Sequence, residues 1–551
     1  MTRIITNGLV LTLDKDNNAG VYNIVIKDGK IAEIDQTGKL TPDYIAENYP
    51  DAEVTDATGK IILPGFVNSN LNSSSRLSKI FFKRNIYDSL ANNISLDLLC
   101  NYFKNEKNVE ELYLLLRYNF ARALLDGEVS LIEVSECLSH EFYKSVLEQN
   151  EHINPALILC APDSAMNDYM ASKKIPHFIR FGREDNMNTY SLNALKKYLD
   201  EDNTMVCCDV MNSEKAVEEI KGSFGKSAVK IFDDYGILSE KVFFTNPVYL
   251  TESDRDLLNE KKAGVIFNTT DYIRLAKGRM DVNALMDDGV NVFLGTGYLG
   301  NSILSEIKTF SEMFYTPKIK YSNILKMGIA NPLFAGGSIT SNRPADLVMF
   351  SLGDIRNYIS SPETDAEKLS EFIIENLTTK DICEVMINGE TVSADTSDEL
   401  NEKIAGLSEE IFRVGNYFEF KERYLMKKRV DELKLGKGKK TEQSADMSEM
   451  PVEETSAVDD GFRIVGVKKS EDYTKERPLF EQQRRKNVYL TEITSFRRGL
   501  SVFSEKVKEE NGYDEFTEDR VMEKPEKENY NVNDSDGKEM KRIKFGFSDS
   551  E

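Results

Sequence analysis

Residues 3 to 35 alternate apolar and polar positions around Asn7-Gly8 and Asp28-Gly29-Lys30, which predicts short antiparallel strands joined by tight turns. From Lys60 onward the texture changes. Short apolar runs alternate with longer stretches of helical periodicity, the pattern of repeated βα units that close into a parallel barrel. Eight strands are expected: Ile61 to Phe66, Val129 to Val134, Ala156 to Cys160, Phe178 to Phe181, Met205 to Val210, Lys241 to Phe244, Gly264 to Phe267 and Val290 to Leu294. β texture returns at Ala345 to Phe350 and at Val385 to Glu390, and these segments would rejoin the N-terminal β unit. Leu400, Ile404, Leu407, Ile411 and Phe412 then fall at helical spacing before a Lys/Gly cluster, Lys434 to Lys440.

The expected architecture is therefore an α/β, TIM-type (β/α)8 barrel over residues 61–334. A small β-sandwich domain is built from both flanks, 1–60 and 335–396, followed by a C-terminal helical segment, 397–433. Residues 434–551 are rich in Glu, Lys, Ser and Asp with few apolar clusters, too sparse to offset the entropy of ordering them, so a disordered acidic tail is expected. Its islands, such as Phe496, Leu500 and Phe503, have the size of segments that dock onto a protein partner.

Charge narrows the partners. Lys+Arg total 70 against 93 Asp+Glu, a formal net charge of −23, which opposes attraction to phosphate backbones and anionic lipid surfaces. Neither nucleic acid nor membrane is expected as a partner. The six cysteines, Cys100, Cys137, Cys160, Cys207, Cys208 and Cys383, lack CxxC spacing and lie mostly in apolar runs, as buried free thiols do. With no secretory signal and no uncharged run of about 18 residues, a cytoplasmic location is expected. Histidine is scarce: His140, His152 and His177 are the whole complement, which limits any imidazole-based metal site. His152 falls in a polar turn, His140 at an apparent helix start and His177 at the start of a strand, the wrong end for a barrel active site.

Several motifs carry a resemblance. Asn7-Gly8-Leu9-Val10, Ile26 to Ile34, Asp56-Ala57-Thr58-Gly59-Lys60, Leu63-Pro64-Gly65-Phe66-Val67-Asn68 and Pro344-Ala345-Asp346-Leu347-Val348 together resemble the amidohydrolase superfamily, in its branch of guanine and cytosine deaminases and triazine chlorohydrolases. The resemblance implies a barrel enzyme that uses zinc or iron to hydrolyse carbon–nitrogen bonds. It also implies the positions of the ligands, and there this chain departs. The family's His-x-His falls on Asn70 and Asn72, its strand-five His-x-x-Glu on Asp209 and Asn212, its strand-six histidine on Asn246, and its strand-eight aspartate on Gly297. Amide oxygens are poor ligands for these metals, and one carboxylate cannot assemble a site of three or four donors.

No metal cofactor is expected from that set, and the six positions read as a vestigial pocket able to hold a small polar ligand. The expected function is a catalytically degenerate amidohydrolase-like protein, a binding, scaffold or regulatory module. The alternatives are an authentic amidohydrolase or deaminase with an atypical site, and a small-molecule sensor using the same pocket. The segment Ser73 to Asn105, with Arg76, Lys79, Phe81, Phe82, Lys83 and Arg84, would lie over the mouth as a lid or be a solvated helix face, and the resemblance is compatible with a homodimer.

Overall fold

The computed structural model describes residues 2–73, 109–134, 156–161, 164–181, 187–200, 203–274, 280–313, 319–353, 365–392, 401–407, 409–410 and 413. The tail, the lid segment after Ser73, Cys100, Cys137, His140, His152, Ile411 and Phe412 lie outside the described residues.

The alternating N-terminal pattern forms β1 (Thr2–Leu11), β2 (Ala19–Lys27) and β3 (Lys30–Asp35), antiparallel neighbours; β2 and β3 are joined where Asp28 and Gly29 adopt positive φ, whereas Asn7-Gly8, expected as a turn, lies within β1 at a shift of register. β4 (Glu53–Asp56) and β5 (Lys60–Pro64) both pair parallel with β1. The C-terminal flank returns through β14 (Leu347–Ser351), β15 (Ile382–Ile387) and β16 (Glu390–Thr391), and β14 runs antiparallel to β5. Strands from both flanks thus share one eight-stranded sheet. Ile5, Val10, Ile24, Ile62, Leu347 and Met386 pack together on one of its faces. On another, Ile4 and Val25 meet Leu40 and Ile45.

The second sheet is the barrel, eight parallel strands in sequence order: β6 (Phe66–Leu71), β7 (Glu128–Glu133), β8 (Ala156–Ala161), β9 (His177–Phe181), β10 (Thr204–Cys208), β11 (Val242–Thr245), β12 (Gly264–Phe267) and β13 (Asn291–Leu294). Seven lie where the apolar runs placed them. The first does not. Ile61 to Leu63 belong to the flanking sheet, and the barrel begins at Phe66, because Gly65 passes the chain between the two sheets: its N–H bonds Asp346 O at 2.9 Å, and a Cβ there would lie 2.4 Å from Val129 Cγ2. Two strands separated by one glycine read in sequence as a single apolar run.

Alternation along each strand sorts side chains between the barrel interior and the helix-facing layer. Val67, Ile132, Phe178, Cys207, Ile266 and Phe293 are among the interior set, while Phe66, Val129, Cys208, Phe244 and Leu294 pack outward. The first and last strands meet through a parallel bridge, Leu71 to Gly297, reinforced by Gly297 N–H donating to Asn70 O at 2.8 Å. Short caps fix the loops at the C-terminal mouth. Ser213 accepts from Ala216 N to start the helix Glu214–Phe224, which leaves only residues 209–213 between β10 and that helix. Residues 401–407 are helical, with Ile404 and Leu407 buried.

Candidate active site at the barrel mouth

Asn68 anchors the seam where the barrel closes. Its Nδ2 donates to Glu128 Oε2 and to Thr296 Oγ1, each at 2.9 Å, and its Oδ1 accepts from Thr296 N at 3.1 Å. Glu128 is fully buried and its other oxygen accepts from Ile303 N. Ser73 donates to Glu133, and Thr270 to Glu306, in the same way. Burial pushes Glu306 up to about 7 despite the two bonds from Thr270.

Asn70 and Asn72 are buried beside this seam, at the end of β6 and just beyond it. A Cβ on Gly295 would lie 2.5 Å from Asn70 Cβ and 2.6 Å from Asn268 Oδ1, so Asn70 and Asn268 crowd the same glycine. Asn246, in the left-handed region at φ 48°, accepts with its Oδ1 from Asn268 N at 2.9 Å. Asn268 is 2% exposed and its Oδ1 has no hydrogen-bond partner among the described residues. Gly297 (φ 56°) is adjacent: a Cβ there would lie 2.1 Å from Asp271 Oδ2, whose carboxylate accepts from Tyr298 N at 2.9 Å and Leu299 N at 2.8 Å. Asp271 thus fills the space a side chain at 297 would need.

Asp209 lies on the other side of the mouth. It follows Cys207 by two residues, so it stays on the inward face as β10 ends. Arg180 likewise follows the interior Phe178 on β9. The guanidinium donates from Nε to Asp209 Oδ2 at 2.7 Å, with Nη2 2.5 Å from the same oxygen. Nη2 also donates to Tyr298 Oη at 3.0 Å, and Nη1 to Val134 O at 3.3 Å. One side chain from strand four therefore touches groups at the ends of strands two, five and eight. Asp209 Oδ1 makes no hydrogen bond among the described residues. Asn212 turns away to donate to Asp209 O, stapling its own loop.

The structure thus gathers Asn70, Asn246 and Gly297 around Asn268, and places Asp209 and Asn212 with Arg180 across from them. Arg180, Asn268, Asp271 and Tyr298 were not found from sequence. The signal for Arg180 was a cation at an inward position of a barrel strand, where apolar residues otherwise alternate. His177 is buried with Nδ1 2.7 Å from Ile175 O and Nε2 2.7 Å from Asn167 Oδ1; burial lowers its pKa, and it serves the barrel floor. Cys207 and Cys208 face opposite sides of β10, and burial pushes the Cys207 thiol up to about 12, out of the reactive range.

Residues 183–392 match the amidohydrolase family. That region is similar to the amidohydrolase superfamily, as the motifs implied. A 5-methylthioadenosine/S-adenosylhomocysteine deaminase of Acetivibrio thermocellus is 24% identical over 392 residues, 64% of this chain and 86% of its own. A 5'-deoxyadenosine deaminase of Methanothermobacter thermautotrophicus is 26% identical over 314 residues, 53% of this chain and 68% of its own. Among solved structures, a zinc-bound adenosine deaminase of Xanthomonas campestris shares the fold with a TM-score of 0.63 at 15% identity, covering 75% of this chain and 98% of that one. The two sequence relatives overturn the expectation of a catalytically degenerate binding, scaffold or regulatory module, because both are named as deaminases and each aligns with more than half of this chain.

The amidohydrolase resemblance implies a metal, and the structure of that neighbour holds zinc. Zinc or iron sites are built from imidazole, thiolate or carboxylate donors. The described residues at the implied positions instead supply the amides of Asn70, Asn72 and Asn246, the glycine at 297, and a carboxylate already paired with a guanidinium. No group of three or more His, Cys, Asp or Glu among the described residues has the geometry of a metal site. The described residues do not fit such an ion. No helix among them is long and apolar enough to cross a membrane.

Proposed function

We propose that this amidohydrolase hydrolyses a carbon–nitrogen bond other than a peptide bond, and that its substrate is an amino-substituted heterocycle of the aminopurine nucleoside type. The observation that carries the reading is the alignment with curated deaminases across most of their length. The mouth supports it with one oriented carboxylate. In the net reaction the oxygen of water bonds to the carbon bearing the amino group, the C–N bond breaks, and ammonia leaves. A proton must move from the water to the leaving nitrogen. Asp209 is the group placed to carry it: Arg180 fixes Oδ2 and leaves Oδ1 without a protein partner among the described residues. The amides of Asn70 and Asn246 and the acceptor Oδ1 of Asn268 suit a neutral ring with N–H donors better than an anionic one.

Ammonia release by the full-length protein from 5'-deoxyadenosine, 5-methylthioadenosine and guanine tests the reading. Turnover of at least one is expected, falling about 100-fold or more in Asp209→Asn, since positioned proton transfer contributes on that order. No release from any of the three would reject it.

A further inference from the structure

We infer that the guanidinium of Arg180 is the resident cation of this barrel mouth, supplying the positive charge that a divalent metal would otherwise bring, and that the site works without such a metal. The chemistry rests on the hydrolase reading; the charge assignment rests on geometry alone. Arg180 stands at an inward position of β9 and spans the mouth, touching Asp209 Oδ2, Tyr298 Oη and Val134 O. Its side chain is 17% exposed and that of Asp209 16%, so the pair is largely withdrawn from water, where charges act more strongly on one another. Arginine does not lose its proton at any pH the protein meets. A dication beside it would face a fixed like charge.

The neighbouring carboxylates already have their oxygens engaged, because each is bound into the barrel seam. Glu128 accepts from Asn68 and Ile303 N, Glu133 from Ser73, Glu306 from Thr270, and Asp271 from Tyr298 N and Leu299 N. Among the described residues Asp209 is left as the carboxylate of the open mouth, and its Oδ2 is held by two nitrogens of Arg180. The position that the family resemblance assigns to a metal ligand is here the counter-ion of an arginine. Arg180 is then a positioning residue: it fixes the Asp209 carboxylate with Oδ1 presented, and it sets a positive charge near negative charge developing on a bound ring.

The test uses chelator-dialysed full-length protein, with zinc chloride as the metal probe in equilibrium dialysis and ammonia release as the second readout. Wild type is expected to take up no zinc that depends on Asp209, and to keep its turnover after chelation. Arg180→Met should lower kcat about 100-fold with KM within threefold, and guanidinium chloride at non-denaturing concentration should restore part of the loss. Arg180→Lys keeps a point charge without the fork, so it should retain more activity than Arg180→Met; it serves as the readout if the methionine variant does not fold. One equivalent of zinc held below micromolar Kd by wild type and lost in Asp209→Asn would overturn the inference. So would turnover in Arg180→Met equal to wild type. If wild type releases no ammonia from any substrate, the hydrolase reading falls, while zinc dialysis of wild type and Asp209→Asn still decides which cation the mouth holds.

Discussion

Restoring the family's aspartate at position 297 is expected to damage this protein rather than repair it. Gly297 adopts φ 56°, and a Cβ there would lie 2.1 Å from Asp271 Oδ2, 2.8 Å from Asp271 Cγ and 2.9 Å from Asn268 Cγ. The left-handed conformation alone costs a non-glycine residue about 1 kcal/mol. The larger cost is displacement of the Asp271 carboxylate from Tyr298 N and Leu299 N, two charge-assisted bonds worth about 1.5–3 kcal/mol each. Gly297→Asp should therefore lose roughly 4 kcal/mol or more of unfolding free energy, read from urea denaturation. Gly297→Ala separates the steric share from the charge. In an Asp271→Ala background the added cost of Gly297→Asp should shrink by about 3 kcal/mol or more, because the clashing carboxylate and its two bonds are gone. A Gly297→Asp protein within about 1 kcal/mol of wild type, or a cycle with no coupling, would refute the argument that Asp271 occupies this space.

Asn68→Ala should cost about 3 kcal/mol in the same assay, since it removes a charge-assisted bond to the buried Glu128 carboxylate and two bonds to Thr296 at the seam; a loss under about 1 kcal/mol would count against the seam as the closing device. Glu306 has its folded pKa raised from 4.5 to about 7, so the folded state holds the proton more tightly; its stabilising contribution is present below about pH 4.5 and is lost as pH rises through 7. Glu306→Gln should remove up to about 3 kcal/mol of that pH dependence between pH 5 and 8, and an unchanged slope in urea titrations would show that Glu306 is not its source. Asn268→Leu removes an orphaned buried acceptor and should change the melting temperature by no more than a few degrees, in either direction; a collapse would mean that Oδ1 has a structural partner. Deleting residues 441–551 should leave the barrel's melting temperature nearly unchanged while removing a co-purifying protein partner, an outcome that Phe496, Leu500 and Phe503 changed together to Ala should largely reproduce; an unaltered set of co-purifying proteins would reject docking by the tail.

The alternation of short apolar runs with stretches of helical periodicity was enough to determine the barrel, because each strand must bury side chains on both faces and each intervening helix one face, and those requirements write distinct patterns into the chain. Seven strands could be placed this way. The run from Ile61 to Phe66 misled because apolarity does not say which sheet a strand pairs in; the backbone crossing at Gly65, against Val129, decides that. The motifs likewise pointed to Asn70, Asn72, Asp209, Asn212, Asn246 and Gly297, yet identities at six positions could not show what stands between them. Arg180 is 29 residues from Asp209 and 118 from Tyr298 in sequence, and only closure of the barrel brings the three together. Asp271 is as hidden, being an ordinary helix-start acid until the fold sets its carboxylate against the bare backbone of Gly297. The chain's local pattern fixes which face a side chain takes, whereas the charge balance of the mouth is a property of distant residues meeting in a closed barrel, which no local pattern encodes.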